Sequence, residues 1–277
     1  MPVDHYENFP VASWLLPARL REPVEAIYAF ARGADDVADE GDAAPAERLA
    51  RLDDYRAGLA AIAAGEPCPV AALAPMFERL ARNVRAFDLP LGLFHDLLDA
   101  FAQDVVKKRY ADFAELADYC HRSANPVGRL LLRLYRVEDA EALAQSDRIC
   151  SALQLINFWQ DAGVDRAKGR IYLPADEMAR FGVTETAIGH GTVDAPWRAL
   201  MDFQVQRARA MMRAGAPLAR RLPGRIGWEL RLIVLGGLRI LEGIEAVGYD
   251  VFTRRPRLHK NDGLRLAWRA LNYQRHT

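Results

Sequence analysis

The chain has 277 residues, 51% of them hydrophobic, enough to fill one large core. Its 37 Lys and Arg balance 37 Asp and Glu, so no basic field points to a nucleic-acid partner, and that class of function is set aside. Cys68, Cys120 and Cys150 are scattered, fit no C-x-x-C pattern and point to reduced thiols in a cytosolic protein.

The N-terminal MPVDHYENFP has acids and proline where a secretory signal would carry a basic start and an apolar run, so export is not expected. Pro10 and Pro17 bound a short segment, after which Pro17–Asp39 reads as a helix with Leu20, Val24, Ile27 and Ala31 on its apolar stripe. Gly41, Asp42 and Pro45 stop it. Further helices are predicted at Ala46–Ala64, Ala71–Phe87, Leu91–Lys107 and Asp112–Tyr135, the last interrupted at Asn125-Pro126 because proline lacks a backbone donor.

Another helix is predicted from Glu138 to about Asp161, with Gly163 and Gly169 loosening the chain beyond it. Ala175–Phe181 reads as a short helix and Gly182–Asp194 as a loop. Two long helices come next, Pro196–Ala214 and Arg225–Val247. The apolar run Leu232–Leu241 is short and broken by Gly236, Gly237 and Arg239, so it cannot span a bilayer. These two glycines either admit close helix packing or leave room for a ligand. The tail Leu258–Tyr273 sets Leu264, Leu266, Trp268 and Leu271 beside Arg265 and Arg269. Packing against the other helices is the expectation there, with an anionic lipid surface the other reading. No sustained period-two alternation occurs, no composition break marks a linker, and residues 1–277 read as a single all-α domain.

Two stretches carry chemistry. In Ile27–Glu40, at about 100° per residue, Tyr28, Arg32, Asp35 and Asp39 fall within roughly 60° of one another, with Asp36 at their flank. In Leu153–Pro174, Asn157, Asp161 and Asp165 succeed one another a turn apart. Carboxylates on one helix face repel unless a positive charge sits among them, and a hard cation supplies it. Magnesium keeps few protein ligands and takes the rest of its shell from water and substrate phosphate. Two such helices facing each other would clamp a diphosphate. Other chemistries have no matching pattern. The six histidines lack paired ligand spacing for zinc, and neither G-x-S-x-G, nor a P-loop, nor G-x-G-x-x-G after a strand is present.

With both stretches read, a family emerges. Tyr28–Asp39, YAFARGADDVAD, resembles the first aspartate-rich motif of the squalene and phytoene synthases, and Gln154–Pro174, closing on GRIYLP, resembles their second. His5-Tyr6-Glu7-Asn8-Phe9, Tyr119-Cys120-His121, Gly248-Tyr249-Asp250-Val251 and Arg254-Arg255 extend the resemblance along most of the chain. It implies an isoprenoid-synthase helical bundle with a central cavity, in which Asp35, Asp36, Asp39, Asp161 and Asp165 hold Mg2+ against a prenyl diphosphate. Tyr28, Arg32, Tyr119, Gln154, Asn157, Arg170, His5 and Asn8 would line the substrate site. The aromatic faces of Tyr28, Phe158 or Trp159 could stabilise a cation, with core packing the plainer expectation for each.

Within the family, ENFPVAS, FARGADDVADEGD and NFWQD look most like the hydroxysqualene synthases, which take presqualene diphosphate from a sister synthase, pass hydroxysqualene to a separate reductase and use no nicotinamide. Arg122 stands where squalene synthases typically carry a tyrosine after Tyr-Cys-His, and Gln160 stands where an arginine usually precedes the aspartate. Both departures bear against head-to-head coupling of two prenyl diphosphates, which is the alternative activity. A non-catalytic assembly protein of the same fold is the alternative of another class. The expected location is the cytoplasm, free or peripheral on the inner face of the membrane.

Overall fold

Thirteen helices and no strand make up the described part of the computed structural model, which covers residues 16–273 and 277, without the side chains of Lys260 and Asn261. In chain order they are α1 (Ala18–Asp39), α2 (Pro45–Ala64), α3 (Ala74–Phe87), α4 (Leu91–Val106), α5 (Phe113–Ser123), α6 (Asn125–Leu134), α7 (Ala140–Ala167), α8 (Ala175–Phe181), α9 (Glu185–His190), α10 (Ala195–Gly215), α11 (Leu218–Arg221), α12 (Gly224–Ala246) and α13 (Lys260–Leu271). The chain divides into two compact units. Residues 16–107 and 121–143 form the first, and residues 108–120 with 144–277 the second, so the division crosses α5 and α7.

The first unit packs α1 against α2, α3 and α4 around Phe30, whose ring meets Tyr55, Phe77 and Phe94 edge-on at centroid distances of 5.6, 6.0 and 5.1 Å. Edge-to-face contact suits the aromatic quadrupole and adds to the burial of the four rings. Gly58 on α2 makes this possible, because a Cβ there would lie 2.4 Å from the Phe77 ring. Leu52, Leu59, Leu80, Leu97, Leu98 and Leu130 close the core around them.

The second unit builds on α7, α10 and α12. Gly237 of α12 sits where a Cβ would come within 2.8 Å of Met212 on α10 and 3.2 Å of Leu153 and Ile156 on α7, so here the glycine serves close helix packing. Trp159 and Trp197 are buried in the same unit. Asp194 caps α10 by accepting the Trp197 backbone N–H at 2.9 Å, and the Trp197 indole N–H donates to the Tyr249 carbonyl at 2.9 Å.

Three expectations need correction. The helix expected to end near Asp161 runs on to Ala167, carrying Asp165 in regular helix. Gly163 does not loosen it; it admits the chain at Val251-Phe252, whose Phe252 Cα would lie 3.1 Å from a Cβ at that position. The true stop is Gly169, at φ +73°. The loop expected at Gly182–Asp194 contains α9, whose N-cap Thr184 accepts the Ala187 N–H at 3.1 Å and which ends at Gly191 with φ +66°. In the tail, the expected packing is present, on one face of α13 against α12. Leu266, Ala270 and Tyr273 are buried, while Leu264, Trp268 and Leu271 are exposed.

Candidate active site

Asp35, Asp36 and Asp39 stand on the last turns of α1, half-buried like Tyr28 and Arg32 on the same face. The positive charge expected among them is present in part within the helix itself: Arg32 Nη2 meets Asp36 Oδ1 at 2.7 Å and Glu40 at 2.9 Å, and Nη1 lies 3.7 Å from Asp35. Asp36 Oδ1 is buried and meets Arg32 as a charge without a well-directed hydrogen bond. Beside it Tyr55 of α2 packs over Gly33, where a Cβ would come 2.7 Å from the hydroxyl. Burial first, and the Asp36 charge second, raise the Tyr55 hydroxyl above the usual phenol range, which keeps it a neutral neighbour of the acids.

The helix end that carries this set is fixed from α2. Arg48 donates through Nη1 to the Ala38 carbonyl at 2.7 Å, through Nε to Ala43 at 2.9 Å and through Nη2 to Gly41. A guanidinium at a helix C-terminus satisfies orphan carbonyls and offsets the negative end of the dipole. This matters because three carboxylates crowd the same end. Nothing in the local pattern of residues marks Arg48 for the role, since its partners lie upstream of its own helix.

On α7, Gln154, Asn157, Asp161 and Asp165 are half-buried and share one face, within roughly 80° at 100° per residue. Asp161 receives a two-pronged contact from Arg255, Nη2 to Oδ2 at 3.0 Å and Nε to Oδ1, and the adjoining Gln160 donates to the Pro256 carbonyl at 2.6 Å. The segment 251–256 thus lies along α7 from Gly163 back to Gln160, and Gly163 is small because that segment passes there. Sequence alone places Arg255 in a motif without giving it a role; two planar groups meeting side by side make it a directional partner of Asp161. Arg166, next to Asp165 in sequence, turns elsewhere, donating to the Ile188 carbonyl at 3.0 Å with its guanidinium 5.3 Å from the Phe252 ring centre.

Tyr119 is buried in an aromatic group of the same unit. Phe158 and Tyr172 stack at 3.7 Å, nearly parallel at 8°, and Tyr110 and Tyr119 adjoin them at 5.7 to 6.2 Å. Backbone bonds from Ile171 to Lys108 at 3.1 Å and from Ala175 to Tyr110 at 2.9 Å hold these segments together. Arg170, two residues before Tyr172, is buried as well. Trp159 is fully buried, as core packing requires. Arg122, in the first unit, donates to Gln103 of α4 at 2.7 Å. His5 and Asn8 lie outside the described residues.

Among the described residues no three ligating side chains converge into a protein cage for a metal. Magnesium asks for less: one or two carboxylates, with water and substrate phosphate completing the shell. Asp36 Oδ1, buried with its charge incompletely answered, and the half-buried oxygens of Asp161 are donors of that kind. Carboxylates of this kind would suit a lightly held hard cation.

Comparison with known proteins agrees with the resemblance read from the motifs. Residues 3–262 match the family model described as squalene/phytoene synthase. A hydroxysqualene synthase of Zymomonas mobilis is 34% identical over 270 residues, covering 95% of this chain and 86% of that protein. A 15-cis-phytoene synthase of Synechococcus elongatus is 31% identical, covering 90% of this chain and 83% of that one. The crystal structure of squalene synthase HpnC from Alicyclobacillus acidocaldarius superposes with a TM-score of 0.81 at 38% identity, covering 88% of this chain and 90% of that chain.

Proposed function

Because the chain belongs to the squalene/phytoene synthase family and has its all-helical isoprenoid-synthase fold, we propose that it converts presqualene diphosphate and water to hydroxysqualene and diphosphate. The observation that carries this reading is the pair of acid sets, each riding one half-buried face of a continuous helix and each already meeting an arginine. We take each set to act on the diphosphate of a prenyl substrate. Asp35, Asp36, Asp39, Asp161 and Asp165 would hold Mg2+, which when bound supplies positive charge to the leaving diphosphate.

Arg32 donates to diphosphate oxygens in exchange for Asp36 and Glu40, and Arg170 acts likewise, so charge on the departing group is neutralised as the C–O bond breaks. The bonding pair leaves with the diphosphate. The cyclopropylcarbinyl cation that remains would rearrange among apolar walls, where aromatic rings such as Tyr28 and Phe158 would stabilise positive charge without attacking it. Tyr119, Gln154 and Asn157 orient the water whose oxygen closes on the cation, and its proton passes to the released diphosphate. No hydride donor enters the balance.

Coupling of two prenyl diphosphates is the second reading, favoured by the 31% identity to a phytoene synthase. Against it stand Arg122, which donates to Gln103, and Gln160, which donates to the Pro256 carbonyl, at the places where squalene synthases typically carry a tyrosine and the second motif usually has an arginine. The test supplies purified protein with Mg2+ and no nicotinamide, and with either presqualene diphosphate or farnesyl diphosphate. Conversion of the first alone is expected. Unchanged presqualene diphosphate beside coupling of farnesyl diphosphate would transfer the reading to the alternative, and inertness toward both would favour an assembly role.

A further inference from the structure

α1 ends in the wrong charge for a helix. The negative end of a helix dipole favours cations, yet the last turn of α1 has no basic residue, and Asp35, Asp36, Asp39 and the C-cap Glu40 crowd it. Like charges repelling one another and the dipole work to fray the turn that carries the first acid set.

Arg48 of α2 opposes this fraying through backbone alone. Of the last carbonyls of α1, that of Asp36 accepts the Glu40 N–H at 2.9 Å, while those of Val37 and Ala38 accept Arg48 Nη1 at 3.3 and 2.7 Å. Nε and Nη2 reach onward to the Ala43 and Gly41 carbonyls, across a turn in which Gly41 takes φ +77°. One planar fork thus holds four carbonyls from residue 37 to residue 43, the end of α1 and its link to α2. Each of these bonds goes to a carbonyl, and among the described residues Arg48 makes no ion pair. The acids are therefore held in place without being neutralised from α2.

We propose that Arg48 is a positioning residue for the first acid set: by fixing the last turn of α1 it sets the affinity of Asp35, Asp36 and Asp39 for a divalent cation and, through it, for diphosphate. This rests on the reading that these acids hold Mg2+ against the diphosphate of a substrate. A cation that meets a frayed turn binds only the ordered fraction, and its apparent affinity falls by that fraction. The charge of Arg48 works in the opposite sense, because a fixed cation close to carboxylates disfavours a second one. The sign of the effect therefore separates a positioning role from a purely electrostatic one.

The test leaves out prenyl substrate and titrates Mn2+, an oxygen-seeking stand-in for Mg2+, in the presence of inorganic diphosphate. Free Mn2+ is read by electron paramagnetic resonance at a temperature where far-ultraviolet dichroism shows each variant folded. Binding lost in Asp36→Asn is the share that belongs to α1. For that share, Arg48→Met is expected to raise the dissociation constant about fivefold or more, and Arg48→Lys, which keeps the charge without the fork, to raise it nearly as much. If Arg48→Met does not fold, Arg48→Lys decides alone. Wild-type affinity in either folded variant, or the tighter binding that loss of a fixed charge alone would give, overturns the proposal and leaves the site standing. Wild-type protein that binds no Mn2+ beside diphosphate overturns the proposal together with the reading beneath it.

Discussion

A methyl group added at Gly58 would lie 2.4 to 2.6 Å from three atoms of the Phe77 ring, inside a cluster whose other members, Phe30 and Tyr55, are buried too. None can give way without leaving its edge-to-face contact, so Gly58→Ala is expected to destabilise by about 1–3 kcal/mol, read as a lower urea midpoint with an unchanged slope. The acids obey a different logic. Asp36 and Asp161 are half-buried and face arginines, so an amide of the same shape keeps the packing and removes the charge. Asp36→Asn and Asp161→Asn are each expected to fold and to lose turnover on the order of a hundredfold or more. Either variant turning over like wild type would remove that residue from the site.

At the level of elements, α7 and the segment 251–256 act as one piece. Gly163→Ala would press on the Phe252 backbone 3.1 Å away, and the strain would be relieved by lifting the segment that carries the Arg255–Asp161 and Gln160–Pro256 contacts. Activity is therefore expected to fall more than the loss of about 1–3 kcal/mol in stability would explain, measurable as reduced kcat at a temperature where the variant is fully folded. Most helices were legible because proline and glycine punctuate them: Pro45 opens α2, Gly182 closes α8 and Pro126 restarts the chain after α5. α9 was not, since six residues are too few to show a period, although Thr184 and Gly191 are its ordinary boundary residues. Gly163 misled because glycine weakens a helix locally and only the neighbouring segment shows why it is there. The aspartates were legible as regular spacing along their own helices. Arg48 and Arg255 were not, because each acts on residues outside its own element.

Across the whole molecule, three phenols respond to alkali in the same direction. Burial, aided by the 2.8 Å hydrogen bond to Asp202, pushes Tyr249 up to about 12, and burial raises Tyr55 and Tyr273 as well. A phenol whose folded pKa exceeds its unfolded value near 10 contributes stability that is fully present below pH 10 and is lost as pH rises toward the folded value. Denaturation midpoints are expected to fall between pH 10 and 12, and less steeply for Tyr249→Phe once both curves are normalised at pH 8.

The reaction itself is tested most directly by the source of one oxygen atom. Presqualene diphosphate incubated with the protein and Mg2+ in 18O-water, without nicotinamide, is expected to give hydroxysqualene carrying one heavy oxygen, because the C–O bond to diphosphate breaks before water adds. Recovery of unreacted substrate, or of a hydrocarbon with no hydroxyl, would contradict the account.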